Sequence, residues 1–404
     1  MAVTISKNPF RTPFLSHFIF TPDLLPFSDE EIVKRDQDLA EFEQIFLNPD
    51  IEKNLISKNE LLASYAISKA EHSTLTLAEA QNVYTVVLAA QEYVFIREKL
   101  NAGKRLTQKD HDKLEFFNIA KTFREFNQVP FSLDMLSPHF IQNLHASLTQ
   151  GMDVFKTYLS EFTVYKSGNW RDNDRIRVGE YAPAPHIQIA SGVDELIAWV
   201  KTHPSPVGIA IFHTAFYALH PFHNGNKRIC RILEHLLFRS IGLNRKNLYS
   251  TSYYYHKEKL RYYKYLLYSL ERNNLNHFVN FIQESLMLSM LSVIKMSLES
   301  KRHEYLTKHT TGDLILRNIL KPLVKREELQ FKHLLKPVGH KMARQTFVSN
   351  LKRAGQENII VKRESGRSTY YRLALITQEE NVVAQWLTFI KERLSFVPDD
   401  FLLA

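Results

Sequence analysis

His220-Pro221-Phe222-His223-Asn224-Gly225-Asn226-Lys227-Arg228-Ile229-Cys230-Arg231 separates two helical patterns in this chain of 404 residues. Upstream, Ile209, Phe212, Phe216 and Leu219 recur at the three-to-four spacing of one helix face. Pro221 ends that helix, because its ring cannot continue it and it brings no N–H. Downstream, Ile229, Ile232, Leu233, Leu236 and Leu237 restart the same period. The residues between therefore form a tight loop that feeds a helix N-terminus.

Such a loop has its own chemistry. Free N–H groups at a helix start, with Gly225 allowing close approach, make an anion site. Arg228 and Arg231 stand three apart, which aims both from one side of the first turns, and guanidinium forks suit phosphate oxygens. His220, ending the first helix, titrates in the range that suits a proton acceptor near neutrality. The stretch reads as a phosphate cradle with a general base beside it. The plainer alternative is a capped helix-turn-helix with two solvated arginines and a packed histidine.

The string resembles the signature of the Fic family, H-P-F-x-[D/E]-G-N-[G/K]-R-x-x-R, at every position but one, where Asn224 replaces the acidic residue. The resemblance implies a mainly α protein with a Fic-type helical core and a short β-hairpin flap. It also implies transfer of AMP from ATP to a Ser, Thr or Tyr hydroxyl of a target protein. His220 would deprotonate that hydroxyl, Gly225 and Asn226 would hold the phosphates, and Lys227, Arg228 and Arg231 would meet their charge. The acidic residue normally binds Mg2+ or Mn2+; Asn224 offers a neutral amide oxygen instead, a weaker ligand for a hard cation. Lys227 matches Doc-type relatives, which transfer phosphate, so a phosphotransferase stays open as an alternative.

Composition sets the remaining bounds. An apolar share of 44% with 24% charged residues is that of a soluble globular chain long enough for two or three domains. The single cysteine, Cys230, excludes a fold that relies on internal disulfides and points to a reducing compartment. No long uninterrupted apolar run suggests a membrane span. Residues 1–20 carry prolines and scattered phenylalanines without an apolar signal core, so a cytoplasmic protein is expected, with export by another route left open. The formal net charge of +9 is carried by residues 321–372, where thirteen Lys/Arg face four acidic residues.

Three regions follow: an N-terminal arm and helices (1–125), a catalytic core (126–300) and a C-terminal unit (301–404). Pro9, Pro13, Pro22 and Pro26 mark an extended arm, and Ser28-Asp29-Glu30-Glu31 reads as a capped helix start. Val83, Val86, Val87, Ala90 and Val94 predict one helix face, closed before Gly103. Residues 56–72 resemble a degenerate form of the inhibitory helix of Fic proteins, with Ile67 and His72 departing from its motif. The resemblance implies that Glu71 pairs with Arg231 and obstructs ATP, and in some relatives the same glutamate positions water for AMP removal. The alternative is a solvated glutamate at a helix end. Family relatives also form homodimers.

Ser167-Gly168-Asn169-Trp170-Arg171 and the segment Arg175 to Pro185 predict a short irregular hairpin, with Val178, Gly179, Glu180 and Tyr181 at its turn. In Fic proteins the matching elements form a flap that holds the target segment; a plain surface loop is the alternative. Residues 248–253 and Arg261-Tyr262-Tyr263 also resemble the family and offer tyrosines for an adenine pocket or for the core. Residues 275–296 predict a last long helix.

The C-terminal unit reads helix (313–324), helix (329–335), helix (343–355) and a hairpin about Ser365-Gly366, an order that resembles a winged helix-turn-helix domain. The resemblance implies DNA contacts from Lys341, Arg344, Gln345 and Ser349 on the recognition helix and from Arg363 and Arg367 on the wing. A winged helix that contacts only protein is the alternative. A second function class is thus a DNA-binding regulator whose core only senses nucleotide.

Overall fold

A computed structural model describes residues 5–47, 49–71, 73–366 and 368–398. Helices α1 (Asp29–Phe46), α2 (Pro49–Ser68), α3 (Leu77–Leu88), α4 (Phe95–Asn101), α5 (Gln108–Gln128) and α6 (Pro138–Leu148) come first. After an irregular stretch follow α7 (Ile189–Thr202), α8 (Pro206–Leu219), α9 (Asn226–Ser240), α10 (Thr251–Lys257), α11 (Lys259–Glu271) and α12 (Asn276–His309). The remainder holds α13 (Leu314–Leu320), α14 (Pro322–Lys325), β1 (Leu329–Gln330), α15 (Phe331–Leu335), α16 (Arg344–Gln356), β2 (Ile360–Ser365), β3 (Ser368–Leu373) and α17 (Gln378–Lys391). The chain divides into two compact units, residues 1–37 with 54–289 and residues 38–53 with 290–404. The N-terminal helices α3 to α6 thus share a unit with the core helices α7 to α11.

In the first unit α8 is buried along its whole length, so no face of it shows the polar stripe of a surface helix. Ser205 caps it by accepting the Gly208 N–H at 3.1 Å, and Pro206 at its first position costs no hydrogen bond. Helices α7 and α9 pack on either side. One charged network crosses this core. His213 Nδ1 lies 2.5 Å from Glu234 Oε2, both side chains fully buried. Thr251 and Tyr255 hydroxyls donate to the same carboxylate at 2.5 and 2.9 Å. A buried carboxylate is tolerated because each of its oxygens has donors.

The N-terminal arm runs as expected, extended with two short turns, and sinks Phe10, Leu15, Phe18, Phe20 and Phe27 into the unit. Ser28 and Glu31 cap α1 reciprocally, at 3.2 and 3.0 Å. The single helix expected across Val83 to Val94 breaks. Helix α3 ends at Leu88 and the chain turns through Ala90, whose φ of +52° is left-handed without glycine. An apolar repeat does not reveal a backbone reversal of that kind. The last long helix runs past its expected end, through His309. By length and hydropathy α12 could cross a membrane, but 83% of its apolar window is buried within the protein.

In the second unit the strands form one sheet in the order β1-β3-β2, all antiparallel. Leu329 pairs with Tyr371, and Ile360 through Ser365 pair with Leu373 through Ser368. Phe347, Leu351 and Ala354 of α16 meet Leu316, Ile319, Leu334 and Leu373 in the core. The helix expected at 329–335 starts as the short β1, and α17 follows the hairpin where none was expected.

Removing the charge centre of the α8 core tests its dependence on that network. Glu234→Ala takes the acceptor from His213, Thr251 and Tyr255 at once, and should cost about 3–5 kcal/mol of stability. A urea titration followed by circular dichroism should show the lowered midpoint.

Candidate active site

The motif loop is held in an unusual backbone. His220 closes α8 with φ +50° and ψ +61°, a left-handed conformation costly for a residue with a side chain. Arg171 holds it there. Its Nε donates to the His220 carbonyl at 2.8 Å and its Nη2 to those of Leu219, at 3.3 Å, and Ala184. Its backbone N–H donates to the Pro221 carbonyl at 2.8 Å. Nη1 reaches the Asn173 carbonyl and Asp174 Oδ1 at 2.8 and 3.0 Å. One buried guanidinium therefore ties the α8 terminus to the hairpin segment.

Beyond Pro221 the loop closes on itself. Asn226 Oδ1 accepts the Phe222 N–H at 3.0 Å, and its Nδ2 donates to the Phe222 carbonyl at 2.8 Å. Phe222 is fully buried, stacked on His145 with centroids 3.9 Å apart. His145 Nδ1 accepts the Gly168 N–H at 2.9 Å, so the proton sits on Nε2, which donates to the Asn224 carbonyl at 3.0 Å. Burial lowers the His145 pKa to about 4, which keeps the ring neutral. Gly225 takes φ +85°, and a Cβ there would come within 3.3 Å of His145 Nε2, so glycine is required twice over.

A cavity of ≈ 740 Å³ opens in front of this loop. It is lined by His220, His223, Asn224, Gly225, Asn226 and Lys227, by Arg175 to Gly179 of the hairpin, and by Thr163, Asn173, Tyr217, Tyr263, Leu266 and Leu267. The Tyr217 ring meets His220 edge-on at 5.2 Å. Lys227 Nζ lies 5.0 Å over the Tyr263 ring. His223 stands 3.1 Å from Asp172 Oδ1, its pKa lowered mainly by burial. The start of α9 has no side-chain cap, so first-turn N–H groups face an anion's approach.

The hairpin is narrower than expected. Val178 and Tyr181 exchange both backbone hydrogen bonds at 3.1 Å about Gly179 and Glu180, and no longer ladder forms among the described residues. Tyr181 is buried and its hydroxyl donates to the Ala218 carbonyl at 3.3 Å, so the hairpin is pinned to α8 by its last residue. Burial pushes that phenol well up. Val178 and Gly179 reach the cavity lining, while Glu180 is exposed beyond it.

The two arginines lie elsewhere than anticipated. Arg228 is fully buried; Nη1 pairs with Glu115 Oε1 of α5 at 2.7 Å, and Nη2 donates to Asn224 Oδ1 at 3.1 Å. Arg231 is buried between the Tyr262 and Tyr255 rings, 4.6 and 5.4 Å from their centroids, and Nη1 donates to the Ala66 carbonyl near the C-terminus of α2 at 3.0 Å. Neither lines the cavity. Their i, i+3 spacing puts them on one side of α9, but that side packs against α2 and α5 rather than open space. Tyr263 reaches the same segment, donating to the Ala70 carbonyl at 2.8 Å. The Glu71 side chain lies outside the described residues.

The sequence places Arg171 only within the element matched to the flap, and it assigns no role to His145 or Glu115. Glu115 had a signal, a carboxylate set among apolar neighbours on α5, and so had His145, which shares the helix face of Ile141 and Leu148.

The donor set does not fit the divalent cation implied by the family resemblance. Among the described residues no group of three or more His, Cys, Asp or Glu is placed to hold a metal, and no residue lining the cavity carries a carboxylate. Asn224 Oδ1 already accepts the Gly225 N–H at 2.7 Å as well as Arg228.

In the second unit Arg344, Gln345 and Ser349 are exposed on α16. Lys341 is exposed but belongs to the turn before the helix, since α16 starts only at Arg344. Arg363 on β2 is paired with Glu328 at 2.5 Å, which neutralises it. Arg367 lies outside the described residues.

Residues 135–238 match the Fic/DOC family. A probable protein adenylyltransferase of Aquifex aeolicus is 23% identical over 158 residues, 36% of this chain. The chain spans about half the length (46%) of that curated relative. Among solved structures, a Fic family protein from Desulfovibrio desulfuricans has a TM-score of 0.49 at 20% identity, covering 88% of this chain and 99% of its own. A Fic domain signalling protein from Bacteroides thetaiotaomicron has a TM-score of 0.47 at 18% identity, covering 67% and 97%.

Two measurements follow from this geometry. Arg171→Ala frees carbonyls that the left-handed His220 depends on, so amide hydrogen exchange should quicken across residues 219–226 with a loss of about 1–3 kcal/mol per abandoned buried acceptor. Arg171→Lys should not restore protection, because a point ammonium cannot span the same acceptors. The second concerns pH. Burial holds His145 at about 4 and His235 at about 3, below the ordinary 6.5. The unfolded chain therefore binds protons that the folded chain refuses, and stability is full above 6.5 and falls as pH drops towards 4. His145 contributes on the order of 3 kcal/mol to that loss; thermal melts across the window should show it.

Proposed function

Because the chain carries a Fic domain over residues 135–238, we propose that it is a protein adenylyltransferase using ATP, with His220 as the general base. The observation that carries this reading is the juxtaposition of His220 with the uncapped start of α9 in one cavity walled by the hairpin. A target hydroxyl placed along Ile176 to Val178 would lose its proton to His220 as its oxygen attacks the α-phosphorus. The bond from that phosphorus to the β-phosphate oxygen breaks, and pyrophosphate leaves with the electron pair towards Lys227 and the first turn of α9.

Autoinhibition belongs to the same proposal. The last turn of α2 gives Arg231 a carbonyl in place of a phosphate oxygen, and the negative end of a helix dipole adds to that hold. Glu71, following directly, would complete the block or position water for AMP removal. The finer regulation is therefore displacement of α2.

We also propose that the exposed face of α16 contacts DNA, with Arg344, Gln345 and Ser349 towards base edges and Lys341 towards phosphate. The excess of Lys/Arg in residues 321–372 favours this over a protein-only contact. A nucleotide sensor without transferase activity and a Doc-like phosphotransferase are the rival readings.

Labelling with ATP separates them. Label from the α position, reduced about 10²–10⁴-fold in His220→Ala and raised in Glu71→Gly, is the expected outcome. Label from the γ position would make the protein a phosphotransferase, and no label from either would leave the sensor. For the DNA contact, Arg344→Ala should weaken duplex binding by about 1–3 kcal/mol with altered sequence preference, and Lys341→Ala should lower the salt slope by about 1. Fluorescence anisotropy at several salt concentrations reads both.

A further inference from the structure

Both oxygens of Asn224 are engaged within the protein. Asn224 Oδ1 accepts from Gly225 N–H at 2.7 Å and from Arg228 Nη2 at 3.1 Å. Both partners can only donate, which settles which end of the amide is oxygen and uses both of its lone pairs. The backbone oxygen of Asn224 is taken by His145 Nε2 at 3.0 Å. Neither oxygen is left for a metal. The amide nitrogen has no acceptor among the described residues, and Asn224 lines the cavity. What this position offers a ligand is therefore an N–H2 group.

Local charge points the same way. Arg228 and Glu115 form a buried pair at 2.7 Å, one positive charge against one negative, with Asn224 bonded to the same guanidinium as a neutral group. A carboxylate at 224 would leave one negative charge over, which a bound cation would offset. Asparagine adds no charge of its own. The charged side chains lining the cavity are Arg175, Arg177 and Lys227, with no acid among them. Magnesium and manganese seek oxygen ligands, carboxylates above all, whereas a polyphosphate seeks N–H donors and cations.

We infer that this site takes the polyphosphate of ATP as the free anion, with no divalent cation, and that Asn224 donates to it. This rests on the proposed nucleotide site and deepens it.

The test is calorimetric titration of ATP into the full chain carrying Glu71→Gly and His220→Ala, which removes the inhibitory carboxylate and turnover. It is run in EDTA and again in excess Mg2+. The Kd should change by less than about threefold between the two buffers, and Mn2+ added to the protein alone should keep its free six-line EPR signal. Asn224→Asp, in the same background, should bind ATP more weakly in EDTA and regain affinity with Mg2+. The decisive comparison needs no change at 224, so a misfolded Asn224→Asp would not blunt it. Tightening by Mg2+ of more than about threefold, or Mn2+ held by the Asn224 protein, overturns the inference while leaving the nucleotide site standing. No ATP binding in either buffer overturns the nucleotide site and the inference with it.

Discussion

A histidine at φ +50° and ψ +61° stores about 1–3 kcal/mol of backbone strain, and the first unit is arranged so that His220 has no easier place to go. On its N-terminal side the chain is locked into α8, buried on every face. On its C-terminal side Pro221 forbids helical continuation and Asn226 folds the loop back on Phe222. The guanidinium of Arg171 gathers the carbonyls that this reversal leaves without helical donors. Because those same bonds run to Ala184 and Asp174, the hairpin cannot drift without disturbing the histidine. His220 and the hairpin are thus parts of one hydrogen-bonded object, and the spacing between them is set by side-chain length rather than by loop flexibility.

Buried charge explains why the two arginines of α9 do not look into the cavity. Arg228 gives its charge to Glu115, and burial of that pair is tolerable because a second donor bond goes to Asn224. Arg231 is held by two tyrosine faces and a helix carbonyl, contacts that are strong only where water is absent. The difference between them matters. Glu115 sits in the middle of α5 and is a permanent partner, whereas Ala66 lies close to the end of α2, where the chain next turns through 69–71. Arg228 thus answers to a side-chain charge inside the core and Arg231 to the end of a helix.

Much of this was legible in the sequence, for physical reasons that differ by element. The helices around the motif follow from apolar spacing and from Pro221, and the hairpins from Gly179 and Gly366 at turns. The motif itself marks His220 and the anion-facing loop, since few other sequences put histidine, proline, glycine and two arginines at those intervals. The break after Leu88 was invisible, because Ala90 takes a left-handed turn that nothing in its identity requires. Arg171 was visible only as a motif letter. Its role depends on the carbonyls of Leu219, His220 and Ala184, which converge only after folding. The burial of Arg228 and Arg231 was equally hidden, since spacing gives a direction on one helix but not what packs there.

The C-terminal unit shows how a charge count and a charged surface differ. Of the cations that make residues 321–372 basic, Arg363 is held by Glu328, Lys362 by Glu364, and Arg353 by Asp313. Pairing of this kind lowers the net charge along β2, although its sequence is rich in cations. Lys336, Lys341 and Arg344 lie in the turn before α16 and on its first residue, beside the positive end of that helix's own dipole. Arg344 also lies 5.6 Å over the Phe331 ring, so its direction is fixed by packing as well as by solvent. The charge that a sequence counts and the charge that its surface presents are therefore different quantities, and only the second acts on a partner.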